Sequence, residues 1–294
     1  LTIISWLVAK ASSAIAQLPA QELKLSVIVA PLYSMGAAAK AWGDALNDTT
    51  GGAFTVKFFP GAVLARRDPT EEFKALQSGA IDIAVGSALQ WSDAFAPLGA
   101  FALPWMTPGN TQLAAVVADP DVQSKLTAAL ESANVTLVAL GPLRHRDLAT
   151  QSRVIASPDD LKDLRVRVTG PRLITDTYLA LGAKPTGLNL EDARNALAAG
   201  QLDGQDQSAA ALVAARAWAT GTRHVVQWGA FGNVMAFVVR KPLWESWPES
   251  TRAAVHAAAL MAIDAAQASA REHEAHDALA RNGVSITRMT PAGH

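Results

Sequence analysis

Within residues 157–207 the chain alternates helix and strand signals so tightly that few architectures remain open to it. The run reads SPDDLKDLRVRVTGPRLITDTYLALGAKPTGLNLEDARNALAAGQLDGQDQ. It opens on a helix start, with Ser157 as cap, Pro158 in the first turn and Asp160 three residues on. Only one turn of helix fits before the strand LRVRV at residues 164–168. Strict alternation there places Arg165 and Arg167 on one face and the apolar residues on the other. Two helices and a Gly-punctuated return strand complete the stretch.

The same grammar governs what precedes it. LKLSVIV (23–29) reads as a buried strand, a helix is predicted over 36–46 and ended by Thr50-Gly51-Gly52, and FTVKFF (54–59) is a second strand closed by Pro60-Gly61. A helix–strand pair spans 71–85. This βαβα order predicts a parallel sheet covered by helices. An internal echo links the two halves: ALQSGAID (75–82) and ALAAGQLD (196–203) share the pattern A-L-x-x-G-x-[IL]-D. In both, a helix stops on a glycine, the position where a left-handed backbone excludes most side chains, and a short strand ending in Asp is expected at once.

The echo predicts two similarly built lobes presenting their strand-end loops, 87–91 and 206–208, to a shared cleft, because open α/β sheets bind ligands beyond their strand ends. VTLVAL (135–140) is the strand that crosses into the second lobe. NVMAFVV (233–239), almost wholly apolar, is expected in the middle of a parallel sheet and crosses back. An Ala-rich tract over 248–282 predicts one or two long helices stopped by Gly283, with VSIT (284–287) as the last strand. The expected class is therefore α/β with two lobes, each a mainly parallel sheet flanked by helices, with crossing hinge strands and a long C-terminal helix. Lobe I is expected over 21–144 plus 232–270, and lobe II over 145–231 plus 271–294.

With 294 residues, half of them apolar, two domains can each bury a core. A formal charge of −1 and 17% charged residues leave no basic footprint for nucleic acid. The absence of cysteine excludes thiol catalysis and disulfides, and is compatible with either the cytosol or a bacterial periplasm. Residues 1–17 run from an apolar stretch into Ala14-Ile15-Ala16, which resembles the end of a secretory signal peptide; residues 1–16 are expected to be its remnant, with a short N-terminal helix as the alternative. No other run approaches the ~20 apolar residues needed to span a bilayer, so the mature protein is expected to be soluble rather than membrane-spanning.

No catalytic constellation is evident. His145-Arg146-Asp147 lacks the other kinase elements, and His273-Glu274-Ala275-His276 has the wrong spacing for a zincin and reads as a charged, solvated helix face. G-x-S-x-G, G-x-G-x-x-G and phosphate-loop patterns are missing, so no cofactor and no metal are expected. His224 and His256 stand alone. The arginines are different: Arg146 and Arg167 are flanked by residues that should be buried, and a buried guanidinium needs an anion. That anion is either a bound ligand or an internal carboxylate among Asp147, Asp203 and Asp206.

At Arg167 the chain resembles a known family. SPDDLKDLRVRV (157–168) is similar to the P-x-D-L-K-G-L-K-[IL]-R-V signature of DctP-type solute-binding proteins of TRAP transporters. The likeness continues through LGAKP (181–185) and 196–206, upstream through FPG (59–61) and Leu103-Pro104, and downstream through Phe237-Val238-Val239 with Trp244. It implies a two-lobed periplasmic binding protein, not an enzyme, that closes on a small carboxylate ligand and passes it to TRAP membrane permease subunits. The resemblance makes Arg167 the carboxylate clamp and Arg146 a secondary contact. Gln207 stands where the family usually has Asn after G-Q-E. Ser87, Gln90 and Trp91 fall in the first lobe's contact loop, without the acidic residue of amino-sugar-binding members; Tyr33, Phe231 and Asn233 complete the expected lining. A carboxylate-metabolising α/β enzyme is the competing class and would need an acid–base or nucleophilic group in the cleft. A sensor domain would need a fused output segment.

Overall fold

In a computed structural model of the chain, the residues described are 19–49, 53–107, 109–169, 171–269 and 272–289. The signal-like segment and the helix stop expected at residues 50–52 lie outside them. In chain order the strands are β1 (Gln21–Val27), β2 (Phe54–Pro60), β3 (Ile83–Ser87), β4 (Val135–Pro142), β5 (Arg146–Thr150), β6 (Arg165–Val168), β7 (Lys184–Gly187), β8 (Gly204–Gln207), β9 (His224–Phe231), β10 (Val234–Arg240) and β11 (Ser285–Arg288). The chain divides into two compact units. The first holds Leu1–Ser87, Val116–Gly141 and Met235–Ser269; the second holds Ala88–Ala115, Pro142–Val234 and Ala270–His294.

The first unit is built on a five-stranded sheet in the order β2-β1-β3-β10-β4. Strand β1 runs parallel to β2 and β3, but β10 is antiparallel to β3, with Met235 opposite Ser87 and Val239 opposite Ile83. The sheet is thus mixed: β1, β2 and β3 run parallel, as expected, and β10 runs against them. The apolar run of β10 reports burial on both faces, which Val234 to Val239 do have, and carries no information on strand direction. Helix Ser34–Thr49 packs against this sheet through Trp42. Its indole N–H donates to the Val255 carbonyl (3.2 Å) in helix Glu249–Ser269, and its ring meets Phe237 edge-on at 5.2 Å.

The second unit carries a six-stranded sheet in the order β11-β9-β5-β8-β6-β7, also mixed: β5 is antiparallel to both neighbours, whereas β6 is parallel to β7 and β8. One face is covered by an apolar cluster that includes Leu148, Val166, Val168, Ile174, Tyr178 and Trp228. Ala149, Leu212, Val225, Ala275 and Leu279 form a cluster on the other, under helices Ala209–Ala214 and Glu272–Arg281. The Ala-rich C-terminal tract thus supplies helix Glu249–Ser269 to the first unit and helix Glu272–Arg281 to the second.

Segment Ala88–Ala115 departs from the expected lobe boundaries by joining the second unit. Both Asp93 carboxylate oxygens accept from the Arg172 amide (3.1 and 3.2 Å), and the Trp105 amide donates to the Ala230 carbonyl (2.8 Å). These long-range bonds leave no trace in local periodicity.

The echo is structural as well as textual. Gly79 and Gly200 both take left-handed backbone, at φ 81° and 68°. The aspartate comes just before its strand rather than at the end of one, and ties that strand to a parallel neighbour. Asp82 Oδ2 accepts from the Lys24 amide of β1 (2.9 Å), and Asp203 Oδ2 accepts from the Arg165 amide of β6 (2.8 Å). The aspartate amides donate in return to the carbonyls of Lys24 and Arg165.

Candidate functional site

Parallel strands β6, β8 and β9 end, and antiparallel β5 begins, along one edge of the second unit's sheet. Arg146, Arg167, Gln207, Phe231 and Asn233 all lie on or near that edge. The register places Arg167 beside Gln205 on β8 and Thr186 on β7, Asp147 opposite Gln207, and Arg146 opposite Phe231. Ligands of open α/β sheets bind at such an edge.

Strand alternation then separates the two arginines. Val166 and Val168 face the cluster containing Tyr178, so Arg165 and Arg167 point to the opposite face, together with Gln205, Gln207 and Asp147. Arg146 is instead bonded towards the Tyr178 side. Its Nε donates to Asp206 Oδ1 and its Nη2 to the Asp206 carbonyl (2.7 Å), while the Tyr178 hydroxyl donates to Asp206 Oδ2 (3.0 Å). Arg146 is 5% exposed and Asp206 0%. Asp206 is thus the internal carboxylate that Arg146 engages. Burial first, and then the Asp206 charge, push the Tyr178 hydroxyl well above the usual tyrosine range, keeping it a neutral donor.

Arg165 and Arg167 share a face but not an environment. Arg165 is exposed and forks onto Asp203, with Nη2 at 2.6 Å from Oδ1 and Nε at 3.0 Å from Oδ2. The hydrogen bond from Arg165 holds the Asp203 carboxyl below its ordinary value. Arg167 is 4% exposed and donates from Nε to the Leu188 carbonyl (2.9 Å). Register pairs Val168 with Gly187, so Leu188 continues it beside Thr169. The Arg167 side chain is thereby turned along the strand towards the sheet edge, level with Thr169 and, across β8, with Gln207.

Other expected residues have different surroundings. Phe231 is fully buried between Trp228 and Tyr178, at ring separations of 5.6 and 6.1 Å. Trp91 is also fully buried, next to half-buried Gln90 in the short helix Ala88–Trp91 of the second unit. Asn233 turns its side-chain oxygen to the Val234 amide (2.9 Å). Ser87, at the end of β3, and half-buried Tyr33, just before helix Ser34–Thr49, belong to the first unit.

His145, set aside in the kinase-like triplet, is buried. Its Nε2 lies 2.8 Å from the Thr107 carbonyl and its Nδ1 3.0 Å from Asn110 Oδ1, which tethers Thr107 and Asn110 to the start of β5. Glu274 and Asp277 are exposed, as expected of a solvated helix face, but His276 turns inward from it. Its side chain is 13% exposed, with Nε2 at 3.5 Å from Asp147 Oδ2 and Gln227 at 3.0 Å. Sequence reasoning also missed Tyr178 and Gln205. Gln205 was accessible, because it shares the parity of Gln207; Tyr178 was not, because only tertiary packing brings it to Asp206.

Residues 25–294 match the family described as bacterial extracellular solute-binding protein, family 7, or DctP. A solute-binding protein of Roseobacter denitrificans is 27% identical over 248 residues, covering 82% of this chain and 72% of its own length. The C4-dicarboxylate-binding periplasmic protein DctP of Rhodobacter capsulatus is 25% identical over 260 residues, covering 85% and 74%. In structure, the chain is similar to a TRAP periplasmic solute-binding protein of Ralstonia eutropha with bound (S)-2-acetolactate, at a TM-score of 0.86 and 34% identity over 93% of this chain and 88% of that one. This chain belongs to the DctP family of solute-binding proteins that serve TRAP transporters, and its kin bind solutes rather than transform them.

Proposed function

We propose that the protein captures a short organic acid in the periplasm through its carboxylate, with Arg167 as the clamp, and delivers it to the TRAP permease. The observation that carries this reading is the placement of Arg167: a buried guanidinium turned towards the edge of the sheet, with the amides of Gln205 and Gln207 on the same face. A planar fork in a dry setting grips a carboxylate through two parallel hydrogen bonds. The relative from Ralstonia, which holds acetolactate, favours a short acid as the cargo. Arg146 supports the site from behind, by fixing β5 to β8 through Asp206. Gln207 supplies an amide one methylene longer than asparagine at the end of β8.

Isothermal titration calorimetry on Arg167→Ala tests the clamp. Removing one partner of a desolvated charge pair costs about 2–5 kcal/mol, so the variant is expected to lose measurable binding of short carboxylates, while the melting temperature of the ligand-free protein changes little. Near-normal affinity in that variant would end the assignment.

A further inference from the structure

Thr169 stands two residues beyond Arg167, immediately past the end of β6, so alternation puts both side chains on one face. Its hydroxyl oxygen is buried and finds no hydrogen-bond partner among the described residues. A buried hydroxyl without a partner is costly, and such groups in native proteins call for an explanation. The neighbouring strands locate it further. Continued register sets Thr169 beside Leu188, whose carbonyl receives Arg167 Nε, and level with Gln207 on β8. The guanidinium and the hydroxyl therefore reach the same level of the sheet edge, one as a carboxylate fork and the other as a single donor–acceptor beside it.

We infer that Thr169 reads an oxygen on the carbon next to the ligand's carboxylate, so that the site selects 2-hydroxy or 2-oxo acids over acids with a hydrocarbon at that carbon. This deepens the carboxylate-clamp reading and rests on it. Once the fork of Arg167 fixes the carboxylate, the substituents of the adjacent carbon are the ligand atoms nearest to Thr169. A methyl group there leaves the hydroxyl unsatisfied, whereas an oxygen completes it.

Calorimetry with 2-hydroxyisobutyrate and pivalate, which differ by one hydroxyl in place of a methyl, tests the inference. The wild-type chain is expected to prefer the hydroxy acid by about tenfold or more. Thr169→Val, of nearly the same shape, should bring the two affinities together while leaving that for pivalate intact, and Thr169→Ser should keep the preference. The ligand-free Val variant should melt no lower than wild type. A wild type without preference, a Val variant that retains it, a Ser variant that loses it, or a Val variant that melts lower would each overturn the role of Thr169. Arg167→Ala separates the two levels: loss of both acids sustains the clamp, whereas retention of both removes the clamp and this inference together.

Discussion

Asp203 and Asp206 lie three residues apart on one segment, each holds an arginine, and the two pairs are physically unlike. Asp203 meets Arg165 in partial contact with water, where side-chain exposures of 31% and 46% screen the charges. Asp206 meets Arg146 where the side chains are 0% and 6% exposed, and a third group, the Tyr178 hydroxyl, completes the carboxylate. The same residue types thus serve two purposes. The wet pair secures the entry to β8 and is replaceable; the dry one is an all-or-none element, because either partner alone would be a desolvated charge.

The largest effect separating them is expected from Asp206→Asn, which leaves the Arg146 guanidinium buried without its counter-charge. Urea unfolding should record a loss of about 3–5 kcal/mol. Combining Arg146→Met with Asp206→Leu should recover much of it, since a dry pair replaced by apolar groups is often neutral. If that double variant is stable yet binds short acids less well, Arg146 also contributes to the ligand. At the turn before Asp203, Gly200→Ala tests the left-handed backbone alone, as a methyl group there meets nothing within 4 Å; a loss of about 1 kcal/mol is expected. Asp203→Asn should cost least. Its folded carboxyl titrates below the ordinary value of 3.8, so its contribution is fully present above the unfolded value and disappears as pH falls through the folded one. The difference from wild type should be constant between neutral pH and about pH 5 and close below about pH 4; a gap that persists in acid would show that charge is not the cause.

Much of this was legible in the sequence, for identifiable reasons. Ser157, Pro158 and Asp160 announce a one-turn helix, and the structure has that turn over Pro158–Leu161, with Ser157 and Asp160 closing a capping box. The glycines of the echo were readable because only a left-handed turn demands them, and both take that conformation. The buried state of Arg167 followed from its apolar neighbours. Strand direction did not, since β10 is equally apolar whether its neighbour runs with it or against it. Nor could sequence tell which arginine would take Asp206, a choice made by the third dimension. Alternation revealed that Arg165 and Arg167 share a face, but not that one would be wet and the other dry.

The strand order of the first unit also governs how the chain can assemble. Strand β10, made of residues near position 240, lies between β3 and β4, which are synthesised far earlier. Until β10 arrives, β4 has no neighbour in its sheet. Among the described residues, β11, near residue 288, is likewise the last strand to join the second sheet. Neither sheet has all its described strands before residue 234 is made, so contacts distant in sequence make folding slow compared with a helical protein of this size. The nascent polypeptide carries both sheets incomplete until β10 emerges.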